Sequence, residues 1–277
     1  MTLRQKGTTK SNGRKHTLDK FYTKKSVAKL CIDSINLNEY TDIIEPSAGS
    51  GSFSNQINGC IAYDLYPESS SVMNADWFKH IQARDSKKKV LIIGNPPFGQ
   101  QNSLAIRFMN YSAKFADTIA FILPKSFMKE SIHNSLDKNL HLRKNLILPK
   151  NSFDLNGKDI DIPCVFQVWD YDSQKKRITV ESPLFKEFSF VKKENSPDLF
   201  IQRIGGKAGI AGLDWQNRSI QSNYFIKIDS RIITAEEFVT AVNNTNFPAR
   251  DYSVGPRSIS KKELVSALIS THVKFSA

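Results

Sequence analysis

Long hydrophobic runs are missing from this 277-residue sequence. No stretch approaches the roughly 20 consecutive apolar residues that cross a bilayer, and no apolar segment follows the basic N-terminus as it would in a secretory signal. The protein is therefore expected to be non-secreted and cytoplasmic, with no membrane association. Cysteine is scarce: Cys31, Cys60 and Cys164 are odd in number, far apart and without ligand spacing to one another or to the five histidines. That excludes a disulfide framework, points to a reducing compartment and leaves no metal site. Acid is scarce at the start. Residues 1–29 carry nine Lys and Arg against Asp19 alone, so that +8 of the formal net charge of +12 arises there. Such a segment either draws phosphates through counterion release or is a solvated tail that confers solubility. Residues 1–18 have almost nothing to bury and read as a basic flexible arm.

What is present is a large core's worth of apolar material, 40% of residues, with 24% charged, which excludes disorder of the whole chain. Apolar positions at Val27, Leu30, Cys31 and Ile35 predict an amphipathic helix over about 24–36. Short apolar runs then alternate with helical patterns, the signature of a mostly parallel sheet covered by helices. Strands are expected near 41–45, 60–64, 90–94, 118–123, 144–148 and 162–169, and helices over 51–58, 101–115 and 125–138. Beyond about residue 180 the texture changes to polar residues interleaved with aromatics, a glycine-dense stretch from Gly205 to Gly212, and two capping boxes, Thr234 with Glu237 and Ser260 with Glu263. This marks a second, smaller domain.

Three segments carry chemistry. The strand ending Ile43-Ile44-Glu45 runs into Pro46-Ser47-Ala48-Gly49-Ser50-Gly51, a turn in which glycine permits torsions and close ligand approach that a side chain forbids. It is either an ordinary strand–helix turn or a ligand cradle. Glu45 would repel a dinucleotide pyrophosphate and attract a cation bearing an amine or a sulfonium. Asp64 ends the next strand, where a carboxylate either is solvated or accepts the hydroxyls of a ribose, with Leu65 and Tyr66 covering the attached base. The most specific segment is Gly94-Asn95-Pro96-Pro97-Phe98-Gly99. Two prolines remove amide donors and stiffen a loop that presents carbonyl oxygens at the C-terminal edge of the sheet. The side-chain oxygen of Asn95 and the carbonyl of Pro96 can accept both hydrogens of an amine such as that of adenine. Its delocalised lone pair must be localised before it attacks. Phe98 would stack on a base swung out of its helix.

These residues resemble the class I amino-methyltransferases, chiefly the N6-adenine DNA and RNA enzymes. Asp19-Lys20-Phe21-Tyr22-Thr23 is similar to the segment that opens many DNA adenine methylases, although Lys24 stands where a proline is usual. The resemblance covers about residues 19–170. It implies a doubly wound, Rossmann-like α/β methyltransferase domain over 19–178, a target-recognition domain over 179–277 and S-adenosyl-L-methionine as cofactor. It also implies that Tyr22 and Thr23 hold the methionine end, Glu45 and Ser47 with the Gly49–Gly51 turn the amine and backbone, and Asp64 the ribose. Asp76 would take the cofactor's adenine amine, or else, standing before Trp77 and Phe78, cap the following helix. Phe153 is either a base-holding aromatic or a core residue. The catalytic set is Asn95, Pro96, Pro97 and Phe98, and the partner is nucleic acid, DNA ahead of RNA.

Two segments mislead. Pro163-Cys164 looks like the nucleophilic pair of cytosine methylases, but it falls in a late strand and reads as a buried cysteine. Gly205-Gly206-Lys207 lacks the arrangement of a phosphate loop and reads as a loop that touches a nucleic-acid backbone through Arg203 and Lys207. Two rival readings stand beside the first: methylation of a glutamine side-chain amide, which poses the same lone-pair problem, and a non-catalytic binding module, against which the intact motifs speak.

Overall fold

A computed structural model of the chain describes residues 21–80, 84–85, 87–155, 157–178, 186–252 and 255–271. The expected arm over 1–18 and the expected domain boundary at 179 lie outside them. Seven strands form one sheet: β1 (Asp42–Glu45), β2 (Ile61–Asp64), β3 (Met73–Asn74), β4 (Val90–Gly94), β5 (Thr118–Pro124), β6 (Leu140–Ile147) and β7 (Cys164–Tyr171). Their order is β3-β2-β1-β4-β5-β7-β6, and only β7 runs antiparallel to its neighbours. This is a doubly wound Rossmann-like sheet, the fold class that the alternating pattern predicts.

The apolar runs are continuous because the middle strands are covered on both faces. Ile92, Ile119, Phe121, Leu123, Val165 and Trp169 point to one core. The alternate residues Leu91, Ile93, Ala120, Ile122, Phe166 and Val168 point to the other. Helix α1 (Lys25–Asp33) buries Val27, Ala28, Cys31 and Ile32, and α2 (Ser103–Ser112) buries Ala105, Phe108 and Met109, each set at helical spacing.

Two expected helices shrink. Over 51–58 only a 3₁₀ turn forms, Ser54–Gln56. Polar side chains there bond the backbone instead of solvent: Asn55 Nδ2 donates to the Ser50 carbonyl at 3.0 Å and Gln56 Nε2 to the Ser52 carbonyl at 2.8 Å. Over 125–138 a 3₁₀ turn, Lys125–Met128, is followed by one helical turn, Glu130–His133. The carbonyls of His133, Leu136 and Asp137 turn to the Arg177 guanidinium at 2.8–3.2 Å rather than continuing a helix. A small ladder was not expected either. Tyr22–Thr23 pairs antiparallel with Phe153–Leu155, which pairs with Lys158–Ile160. It pins the segment before α1 against the sheet.

A second sheet follows, of β8 (Phe188–Val191), β9 (Leu199–Gln202), β10 (Ala211–Gly212) and β11 (Asn223–Ile228), in the antiparallel order β8-β11-β9-β10. Leu199, Ile201 and Ile226 pack against Phe238 and Val242 of α3 (Ala235–Asn244) and Leu264 and Leu268 of α4 (Lys261–Thr271) in a core of their own. Both capping boxes form: Glu237 N donates to Thr234 Oγ1 and Glu263 N to Ser260 Oγ, each at 3.2 Å. Crossed ion pairs join this unit to the first. Lys262 meets Glu130 at 2.6 Å, and the buried Lys129 meets Glu263 at 3.6 Å while donating to the Ser258 carbonyl at 2.8 Å.

Candidate active site

Because β1 lies between β2 and β4 in parallel register, the loops leaving the C-terminal ends of these strands open side by side. A cavity of about 480 Å³ lies among them. Its wall brings together Tyr22, Thr23, Glu45, Ser47, Gly49, Asp64, Asp76, Asn95 and Pro97, which span 76 positions of sequence from Tyr22 to Pro97. Of the residues expected at the site, Gly51, Pro96 and Phe98 do not line it.

The turn after β1 needs its glycines. Gly49 and Gly51 have φ of +55° and +86°, and a Cβ on Gly51 would stand 2.6 Å from Asn55 Nδ2. Asp64 holds this turn in place. Its Oδ2 accepts the Gly49 amide and its Oδ1 the Tyr66 amide, both at 2.8 Å. Each oxygen keeps a further lone pair for a ligand hydroxyl. Ser52 Oγ donates to the Thr23 carbonyl at 2.9 Å and Ser47 Oγ to the Asn95 carbonyl at 3.3 Å, tying the three loops together. Asp76 accepts the Phe78 amide at 3.0 Å, so it caps its turn while still lining the cavity.

Among the described residues the lining holds four carboxylates, those of Glu45, Asp64, Glu68 and Asp76, and no Lys, Arg or His. Glu68 has no motif around it. It sits among serines after β2, and only the fold brings it to Tyr22, whose hydroxyl donates to its Oε1 at 2.5 Å. Burial, reinforced by Glu68, pushes the Tyr22 phenol up to about 12. Glu45 is 2% exposed, and burial raises its carboxyl from 4.5 to about 7, outweighing hydrogen bonds from Ser54 and Phe53 that lower it. A cavity of this sign rejects a pyrophosphate and attracts fixed positive charge. The residues present fit S-adenosylmethionine, which offers a sulfonium, an ammonium and a ribose diol.

Gly94 lets the next loop close on that wall, since a Cβ there would lie 3.2 Å from Glu45 Cγ. Asn95 Nδ2 donates to the Phe21 carbonyl at 3.3 Å, which orients the side chain. Asn95 Oδ1 is buried and has no hydrogen-bond partner. An orphaned acceptor costs about 1–3 kcal/mol, a cost that a ligand donor removes. The loop then turns through Gln101 and Asn102, both with left-handed φ, 51° and 65°, a strain of the kind found beside active sites.

Phe98 faces a different space, a cavity of about 770 Å³ between this loop, the Lys125–His133 segment and the second unit. Phe21 lines both cavities, and the motif loop gives Asn95 and Pro97 to the first and Phe98 and Gly99 to the second, so the two meet at that loop. Among the described residues the second cavity is lined by two cations, Lys129 and Arg203, and by no carboxylate. Phe153 and Cys164 are core residues, 0% and 3% exposed, and burial pushes the Cys164 thiol up, away from nucleophilic use. Among the described residues no group of His, Cys, Asp and Glu is placed to hold a metal ion, and no helix is long and apolar enough to cross a membrane.

No family model matches the chain, and no curated protein matches it. Solved structures do. A putative RNA methyltransferase from Pyrococcus horikoshii is 16% identical over 53% of this chain and 83% of its own, with a TM-score of 0.42. A modification subunit of a putative type I restriction enzyme from Vibrio vulnificus is 15% identical over 81% of this chain and 58% of its own, with a TM-score of 0.41. A putative methyltransferase from Streptococcus mutans, solved with SAH, is 13% identical over 52% of this chain and 97% of its own, with a TM-score of 0.31. The chemistry assigned to this chain rests on its own residues. Its strand order, with one antiparallel strand inserted beside the edge, makes the fold a doubly wound Rossmann-like sheet.

Proposed function

We propose that this chain transfers a methyl group from S-adenosylmethionine to the N6 amine of adenine in nucleic acid, DNA in preference to RNA. The observation that carries this reading is the unpartnered Oδ1 of Asn95 at the wall of an acid-lined cavity. S-adenosylmethionine supplies an electrophilic methyl on a positively charged sulfur. Glu45 and Asp64 hold the ammonium and the ribose, and Tyr22 and Thr23 close over the methionine end. Asn95 Oδ1 accepts one hydrogen of the target amine and the Pro96 carbonyl the other. The nitrogen lone pair is thereby localised, and the charge that develops on nitrogen meets two fixed acceptors. No ionised base is required beforehand. Phe98, in the second cavity, stacks on the displaced base.

Residues 19–178 form the catalytic domain in this reading, and 179–277 select the target. DNA is preferred for the Phe21-Tyr22-Thr23 opening and for a recognition domain placed after the catalytic one. Tritiated S-adenosylmethionine incubated with duplex DNA, single-stranded DNA, total RNA and protein extract tests the assignment. Label is expected in DNA; label in RNA alone would move the substrate, and label in protein alone would replace it with a glutamine amide. Deleting residues 1–18 is expected to raise the Kd for DNA and flatten its dependence on salt, because the deleted segment carries five Lys and Arg and no acid. An unchanged salt slope returns the arm to a solubility tail.

A further inference from the structure

The two cavities that meet at the motif loop have opposite electrostatic characters. The cofactor side is walled, among the described residues, by four carboxylates and no cationic side chain. The other side is walled by Lys129 and Arg203 and, among the described residues, no carboxylate. One site thus suits a cation and its neighbour an anion, and a methyl donor bearing positive charge together with a phosphodiester strand would satisfy both.

The two cations differ in how they are used. Lys129 is 7% exposed, and its ammonium is spent on the Ser258 carbonyl at 2.8 Å, Ser258 Oγ at 3.2 Å and Glu263 at 3.6 Å. It belongs to the joint between the two units. Arg203 lies at the end of β9, and its guanidinium donates from Nε at 3.0 Å and Nη2 at 2.8 Å to one carbonyl, that of Gln221. The group stands 5.7 Å from the ring centre of Tyr224, and among the described residues no carboxylate pairs with it. Two bonds fix its plane, the Tyr224 side chain stands within its hydrogen-bonding reach, and its five-donor fork exceeds what these partners take up. Tyr224, which lines the same cavity, is itself held by donating its hydroxyl to the Ile259 carbonyl at 3.1 Å. An arginine braced by a carbonyl and an aromatic ring, opening on a cavity within the roughly 300–1,000 Å³ of small-ligand sites, is preorganised for an anion.

We infer that Arg203 contacts the substrate: from the second unit it binds a backbone phosphate of the polynucleotide strand whose base is presented to Asn95. The inference rests on the polynucleotide reading above and goes beyond it by making the acceptor site bipartite. The second unit then supplies part of the pocket itself and does not merely tether the target.

Arg203→Gln retains donors for the Gln221 carbonyl without the charge, and Arg203→Lys retains the charge without the planar fork. Both are compared with the wild-type chain in three measurements: S-adenosylmethionine Kd by calorimetry, KM for an adenine-containing oligonucleotide of DNA or RNA, and the salt slope of oligonucleotide binding. The glutamine variant is expected to raise oligonucleotide KM about tenfold or more and to reduce the salt slope by about one, with cofactor Kd unchanged. The lysine variant is expected to recover the slope. An oligonucleotide KM and salt slope unchanged in Arg203→Gln overturn the inference even if the wild type methylates nucleic acid. A wild type that labels only protein overturns the polynucleotide reading instead, so the two failures are distinguishable. Adenine methylated in either DNA or RNA with the same Arg203 dependence supports the phosphate contact; methylation of both without that dependence overturns it.

Discussion

Asn95→Ala is expected to lower the rate of methyl transfer about 10²–10³-fold, the range seen when one preorganised group that stabilises transition-state charge is removed. S-adenosylmethionine Kd is expected to stay within about twofold, because in the proposed reaction the cofactor is held by carboxylates and the lost oxygen serves the acceptor amine. Stability is the informative control. The substitution deletes the 3.3 Å bond to the Phe21 carbonyl but also deletes a buried acceptor that had no partner. These changes oppose each other at about 1 kcal/mol each, so the melting temperature should barely move. Single-turnover rates with saturating cofactor measure the effect. Full activity in Asn95→Ala removes the proposed chemistry, and a loss of folding removes the argument that the side chain is poised for a ligand.

Glu45→Gln is expected to weaken S-adenosylmethionine about 10–100-fold at neutral pH, with the deficit shrinking in acid. The wild-type carboxyl titrates near pH 7 instead of 4.5, chiefly through burial. Only its ionised form attracts an ammonium or a sulfonium. Wild-type affinity should therefore fall roughly tenfold for each pH unit below that value, whereas the glutamine variant should show no such slope. The sign for stability is the reverse. A carboxyl whose pKa is raised by folding holds its proton more firmly when folded. The ligand-free protein is thus favoured by this group at low pH and loses that contribution as pH rises from 4.5 through about 7. Melting curves of both proteins across that window, with and without cofactor, check both statements. Parallel curves for the two would mean that Glu45 is not the titrating group.

The sequence is most legible where the chemistry is local and the burial uniform. The strand at 90–94 has the expected bounds because Val90-Leu91-Ile92-Ile93 is apolar on both faces and stops at a glycine followed by two prolines. The Asn95-Pro96-Pro97-Phe98 run is placed by the same boundary, since it follows directly on that strand. The segment over 51–58 was not. Its Phe53 and Ile57 are buried at helical spacing, yet Ser50, Ser52, Asn55 and Gln56 draw its backbone into side-chain bonds that no periodicity reveals. Glu68 escaped for another reason, and Arg203, legible as a backbone contact, could not be assigned to a cavity. They reach their cavities only through long-range topology: the ladder between Tyr22–Thr23 and Phe153–Leu155 in one case, and the docking of the second unit in the other. The charge contrast between the cavities is likewise a property of the fold, not of any run of residues.

The insertion of β7 between β5 and β6 bears on how the protein can be made. Residues 164–171 bond to both neighbours, and β6 touches the sheet only through them. Until they leave the ribosome, β5 is a buried-type strand with one bare edge and β6 has nothing to pair with. The nascent chain therefore carries its most aggregation-prone surface over the interval in which residues 118–171 are being synthesised. A shortened fragment of the first unit must run past Tyr171 if β5 and β6 are both to be paired.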